Sequence, residues 1–196
     1  MDVPLLVVVP LAVAVQCVGE QVHGVGFQAL GPVHGGEYHE GLVRALAVAH
    51  LHTPNATLFA IAKRRFQPIT LQGAIFSDGV PLYPEAQLIT NPERGNALMK
   101  VIGDKRAALL RGHGIVVAAQ NLQEVLYTAL VLEDDAKKTL QAASLGEVST
   151  ISTEECRTFG AEIALERRAQ RAWNYFCSLE ARWDRQPAAG RSELFP

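Results

Sequence analysis

Three histidines, His50, His52 and His113, are the residues of this chain whose type and spacing could do chemistry. His50-Leu51-His52 closes the apolar run Ala45-Leu46-Ala47-Val48-Ala49 and is followed at once by Thr53-Pro54-Asn55. A short continuous apolar segment bounded by turn residues reads as a buried strand. Residues i and i+2 of a strand point to one face, so both imidazoles leave the strand end side by side. His113 stands in Arg111-Gly112-His113-Gly114, between the apolar Ala107-Ala108-Leu109-Leu110 and Ile115-Val116-Val117-Ala118-Ala119. That order reads as strand, glycine-flanked histidine, strand; the glycines allow a sharp turn and leave the imidazole uncrowded. An isolated histidine is more often a surface or hydrogen-bonded core residue, but a third one in a similar setting shifts the reading. Three neutral imidazoles with an open fourth position describe a catalytic zinc site, whereas structural sites are closed and usually cysteine-rich.

The elements that must position these residues follow from local signals. Thr53 can cap a helix with Pro54 in its first turn, giving a helix over residues 54–64. Ala56, Leu58, Phe59, Ile61 and Ala62 are its apolar side, and Lys63, Arg64 and Arg65 place positive charge at its C-terminus. Residues 69–76 and 80–83 read as short strands around the Asp78-Gly79 turn. Asn91-Pro92-Glu93 opens a helix that runs to Ile102 and stops at Gly103. Asn121 caps the clearest helix, in which Leu122, Val125, Leu126, Ala129, Leu132, Ala136, Leu140 and Ala143 form one apolar stripe, with Gly146 as its end. Ser152-Thr153-Glu154-Glu155 has the form of a capping box for a last long helix, interrupted at Gly160. That helix carries Trp173, Tyr175, Phe176 and Trp183, a group suited to packing against the body or a neighbouring subunit.

Composition bounds the rest. A chain of 196 residues, 48% hydrophobic and 19% charged, is globular and long enough for a sizeable core. We expect one domain over residues 1–186 and a loose tail over 187–196. The net charge of -2 gives no reason to expect nucleic acid or an anionic membrane as partner. Cys17, Cys156 and Cys177 are widely spaced and odd in number, so no disulfide framework follows, which suits a reducing cytoplasm. Residues 1–16 are apolar apart from Asp2 and Gln16, with strand-like Val7-Val8-Val9 and Ala12-Val13-Ala14-Val15. An acid where a leader would be basic, and Pro4 and Pro10 within the run, make a buried strand or an atypical start the expectation rather than a secretory leader.

Residues 47–57 resemble the VVHTHSPYAT segment of the class II aldolase/adducin family, and residues 109–117 resemble its LLRNHGVVV segment. The helix bearing Leu132-Glu133-Asp134-Asp135-Ala136 is similar to the glutamate-rich helix that follows in that family. The resemblance covers roughly residues 37–146; residues 1–36 are atypical or truncated relative to the family. It implies a three-layer α/β/α fold with a central, mainly antiparallel sheet, and a homotetramer with active sites between subunits. It also implies that His50, His52 and His113 ligate a divalent cation, most often Zn2+, with Mn2+, Co2+ or Fe2+ as options. The family's glutamate upstream of the first histidine, an acid/base or a fourth ligand, corresponds to Glu37, with Glu40 as the alternative.

The chemistry implied is carbon–carbon cleavage through a metal-stabilised enolate or enediolate, in an aldolase or a decarboxylase. The segment before His50 has one basic residue, Arg44, and no serine or threonine, whereas phosphate sites use Gly/Ser-rich turns with an Arg or Lys. A hydroxylated aromatic carboxylate is therefore the favoured small-molecule substrate, with Trp173 and Tyr175 placed to cover its ring, from a neighbouring subunit if need be. The alternatives are an iron oxygenase on the same histidines and a non-catalytic, adducin-like or incomplete member.

Overall fold

The computed structural model describes residues 13–17, 47–162 and 164–185. The apolar runs around the histidines are strands: β1 Val13–Cys17, β2 Ala47–Leu51, β4 Ala107–Leu110 and β5 Gly114–Ala119, joined by the two-residue β3 Leu82–Tyr83. The sheet order is β1-β2-β5-β4-β3, and each pairing is antiparallel except β3 with β4. The expected strand at Val7-Val8-Val9, Glu37, Glu40 and the tail 187–196 lie outside the described residues.

β4 and β5 are buried along their whole length, which is why they read as unbroken apolar runs rather than alternating ones. Strand alternation divides their side chains between two helical layers. Ala47, Ala49, Leu51, Ala107, Leu109, Ile115, Val117 and Ala119 pack with Phe59, Phe66, Phe76, Val125, Leu132 and Ala136 on one face. Ala108, Leu110 and Val116 pack with Tyr83, Leu98 and Ile102 on the other. The first layer holds α1 Ala56–Ile61 and α3 Leu122–Ala143, with α5 Leu165–Arg185 packed along α3; the second holds α2 Pro92–Ile102. The architecture is the three-layer α/β/α fold expected, with α4 Thr153–Glu162 against the 3-10 segment Gln72–Phe76.

The caps at Asn91, Asn121 and Ser152 fall where the sequence put them. The Asn91 side chain accepts from the Arg94 N–H, and Gly103 closes α2 with a positive φ of 55°. Asn121 accepts from the Glu124 N–H at the start of α3. Ser152 and Glu155 exchange hydrogen bonds as a reciprocal capping box. α3 ends at Ala143, before Gly146, and the break in the last helical stretch falls after Glu162, not at Gly160.

Other expectations fail: the strand expected over 80–83 is only Leu82–Tyr83, paired in parallel with β4 and not with residues 69–76 across the Asp78-Gly79 turn. The helix expected over 54–64 is only Ala56–Ile61, so Lys63, Arg64 and Arg65 lie beyond its last turn. Thr53 does not cap it; the Thr53 hydroxyl is buried with no hydrogen-bond partner among the described residues, and the Glu133 carboxylate of α3 takes the N–H groups of Asn55 and Ala56 instead. Residues 69–76 form no strand. The buried Asp135 carboxylate of α3 accepts from the Ile69 N–H at 3.0 Å and the Thr70 hydroxyl at 2.5 Å, winding the following residues into the 3-10 segment.

Candidate metal centre

β2 carries His50 opposite Val116 of β5. Val48 lies against the α2-side cluster, so His50, two residues on, turns toward that same face. β2 ends at Leu51, and His52 is exposed just past it. His113 sits in the β4–β5 turn, where its N–H donates to the Leu110 carbonyl at 3.1 Å and Gly112 takes a φ of 67°. Cross-strand pairing thus brings together residues more than sixty positions apart: Leu51 faces Ile115, and the turn before Ile115 lies beside the segment after Leu51.

The three rings converge. Centroid separations are 4.8 Å for His50–His52, 4.6 Å for His50–His113 and 4.8 Å for His52–His113. One ring nitrogen from each lies within 4.8 Å of the others. His50 Nδ1–H donates to the Ile115 carbonyl at 3.0 Å, which fixes the tautomer and leaves Nε2 with its lone pair. That Nε2 is 3.0 Å from His52 Nε2. Two nitrogens bound to one tetrahedral zinc at ~2.0–2.1 Å would be about 3.3 Å apart, so the donors are already near ligating separation.

The electrostatics suit neutral donors. Burial pushes the His50 imidazole down from 6.5 to about 4, helped by His113 and His52 and opposed by the Ile115 hydrogen bond. Burial, with His52 beside it, lowers His113 as well. A ring that stays unprotonated keeps its lone pair for a cation. Among the described residues no carboxylate joins the three imidazoles, which would leave an ion its full charge, so the donor set fits a divalent metal.

Gly114 is required by this geometry more than by the turn itself. A Cβ there would collide with the Leu51 carbonyl oxygen and stand 3.1 Å from His52 Cδ2. The sequence marked the glycines as giving His113 room; the side chain that needs the space is His52. Sequence reasoning also gave no part to the Ile115 carbonyl or to Glu133, whose contacts depend on tertiary pairing.

Of the remaining candidates, Trp173 and Tyr175 are described, and they stand apart from the triad. Trp173 and Tyr175 are on α5, in the layer on the opposite sheet face from the His50 ring. Trp173 is half-buried, and Tyr175 is exposed with its ring edge-on to Phe176 at 5.4 Å. A single copy of the chain does not bring either to the histidines. No described helix is long and apolar enough to cross a membrane.

Known proteins share this arrangement of elements. The chain is 34% identical over 105 residues to a 3,4-dihydroxyphthalate decarboxylase of Rhodococcus jostii (strain RHA1), covering 51% of this chain and 43% of that protein. It is 25% identical over 153 residues to a 4-hydroxy-3-prenylphenylpyruvate oxygenase/4-hydroxy-3-prenylbenzoate synthase of Streptomyces roseochromogenus subsp. oscitans, covering 77% of this chain and 54% of that one. The chain thus spans about half the length of these relatives. An L-fuculose 1-phosphate aldolase structure superposes with a TM-score of 0.55 at 26% identity, over 60% of this chain and 55% of that one. The family model of the Class II Aldolase and Adducin N-terminal domain matches residues 13–140, a span that takes in both histidine segments and most of α3: the chain belongs to the class II aldolase and adducin family.

Proposed function

We propose that the chain is a divalent-metal-dependent carbon–carbon lyase, with decarboxylation of a hydroxylated aromatic acid favoured over aldol cleavage. The observation that carries this reading is the convergence of the His50, His52 and His113 nitrogens on one point. These three residues would hold the ion, zinc first among the candidates. When bound, it supplies a Lewis acid that stabilises the negative charge left on the substrate as the carbon–carbon bond breaks. His50 presents only Nε2, because its Nδ1–H is committed to Ile115.

In a decarboxylation the electron pair of the broken bond stays on the ring carbon as carbon dioxide leaves, and a proton must be returned to that carbon. Glu37 is the proposed donor, with Glu40 as the alternative. Trp173 and Tyr175 are proposed to cover the aromatic ring from a second copy of the chain. The decarboxylase name of the 34% identical relative supports the preference for an aromatic acid.

The test measures metal in the purified protein, then carbon dioxide release from a dihydroxybenzoate-type acid and cleavage of a ketose 1-phosphate under the same metal loading. Turnover of the aromatic acid, lost in Glu37→Gln, is the expected result; turnover of the sugar phosphate alone overturns the substrate preference. The oxygenase-named relative favours a second reading, iron-dependent oxygenation on the same histidines. Stoichiometric iron with oxygen consumed per turnover selects it.

A further inference from the structure

His50 and His52 are held by different means. The His50 ring is tied directly to the Ile115 carbonyl, and its backbone lies within the β2 ladder. His52 lies beyond the end of β2, so its backbone has no ladder to fix it. Its segment is pinned instead at Asn55 and Ala56, where one carboxylate from a distant helix gathers three donors. Glu133 accepts from the Asn55 N–H at 2.9 and 3.2 Å through its two oxygens, from the Asn55 side-chain amide at 2.6 Å, and from the Ala56 N–H at 2.8 Å. Ala56 is fully buried, and Thr53 is buried between the ring and the clamp.

From this we infer that Glu133 is the positioning residue for His52: its carboxylate clamps the segment from His52 to Ala56 onto α3 and so sets where the His52 imidazole meets the other two. The inference rests on the metal reading above. Asn55 is three residues past His52, and Pro54 between them removes a freely rotating φ, so a shift at Asn55 is passed to the ring. On the other side Gly114 leaves the His52 ring its space, since a Cβ there would stand 3.1 Å from its Cδ2. The carboxylate does for His52 through the backbone what the Ile115 carbonyl does for His50 through the ring. Groups that orient ligands without touching the metal usually contribute 10–100-fold to affinity.

Asp135 provides a matched control. It is a buried carboxylate on the same helix, it also caps a neighbouring segment, and its hydrogen bonds go to Ile69 and Thr70 instead of the histidine segment. The experiment titrates Co2+ into the wild-type chain, Glu133→Gln, Glu133→Asp and Asp135→Asn. It reads affinity by chelator competition, the d–d absorption spectrum, and urea stability without metal. Glu133→Gln should weaken Co2+ about 10–100-fold and change the spectrum, because an amide cannot accept at both ends. Glu133→Asp should recover part of the loss, and Asp135→Asn should lose stability while keeping wild-type affinity and spectrum. Glu133→Gln that binds Co2+ like the wild type overturns the inference and leaves the metal reading standing. A wild-type chain that binds no Co2+ overturns both. Should Glu133→Gln not fold, amide exchange in the wild type decides: Co2+ must slow exchange at the Asn55 and Ala56 N–H groups if clamp and metal are coupled, and unchanged exchange overturns the inference.

Discussion

At the scale of single residues, the site depends on keeping imidazoles neutral. His50 titrates near 4 in the folded chain because of its burial, against 6.5 ordinarily. Between those values the unfolded chain binds a proton that the folded chain does not. Stability is therefore fully present above about pH 6.5 and falls as pH drops toward about 4. His113 is shifted in the same direction and adds to the slope. Asp135 works in the opposite sense: burial raises its carboxyl, more than Thr70 and Ile69 lower it. The folded state thus binds that proton more tightly and gains stability as pH falls through the raised value toward about 3.9. Urea midpoints of metal-free protein should drop between about pH 6.5 and 4, and His50→Gln should flatten that limb; an unchanged limb would remove His50 from the account. Replacement of His113, which sits in a turn and not in the ladder, separates binding from folding. His113→Ala should lose most bound metal and keep its urea stability to within roughly 1 kcal/mol. Stoichiometric metal retained in that variant would remove His113 from the ligand set.

At the scale of elements, α3 organises the layer beneath the histidines. Glu133 and Asp135 are two residues apart, about 200° around the helix, so they reach different neighbours: the start of α1 and the start of the 3-10 segment. Both are tertiary caps, and both explain what local sequence could not show. Where a helix is capped by its own residues, as at Asn91, Asn121 and Ser152, the sequence reading and the structure agree. Where the cap comes from Glu133, some seventy-eight positions away, the start of α1 was misplaced at Thr53. The apolar run over 69–76 has a strand-like pattern, but its first N–H and hydroxyl are claimed by Asp135. The histidine pair and its third partner were legible because strand alternation and a glycine turn are local rules; the ring-to-carbonyl contact at Ile115 was not. Asp135→Asn should cost about 1–3 kcal/mol in urea unfolding at neutral pH, since a buried donor at Ile69 or Thr70 loses its charged acceptor. Gly73→Ala should be comparably harmful, because its Cβ would collide with the Asp135 carboxylate. A neutral Asp135→Asn would mean that water replaces the carboxylate at this cap.

At the scale of the whole molecule, exposed apolar side chains predict assembly. α1 begins four residues after His52 and leaves Leu58 and Ile61 43% and 59% exposed, three positions apart and so on one face of the helix. Leu88 and Tyr175 are each 57% exposed elsewhere on the chain. Scattered exposed apolar side chains are ordinary, but a pair on one face of the helix that follows the histidine segment in sequence is a feature that a second copy would cover. Such a copy would also bring residues from outside the triad's own chain to the open side of His52, where Trp173 and Tyr175 cannot reach from within. We expect a homo-oligomer, a tetramer first, whose assembly completes the site. Sedimentation at micromolar concentration should give a multiple of the 21.2 kDa chain mass. The double substitution Leu58→Glu with Ile61→Glu should dissociate it while leaving the circular dichroism of the chain unchanged, because both side chains already face outward. If assembly completes the substrate pocket but not the metal site, the dissociated variant should still bind Co2+ and lose turnover. A wild-type chain that sediments as a monomer with full activity would show that each copy carries a working site alone, and would withdraw Trp173 and Tyr175 from it.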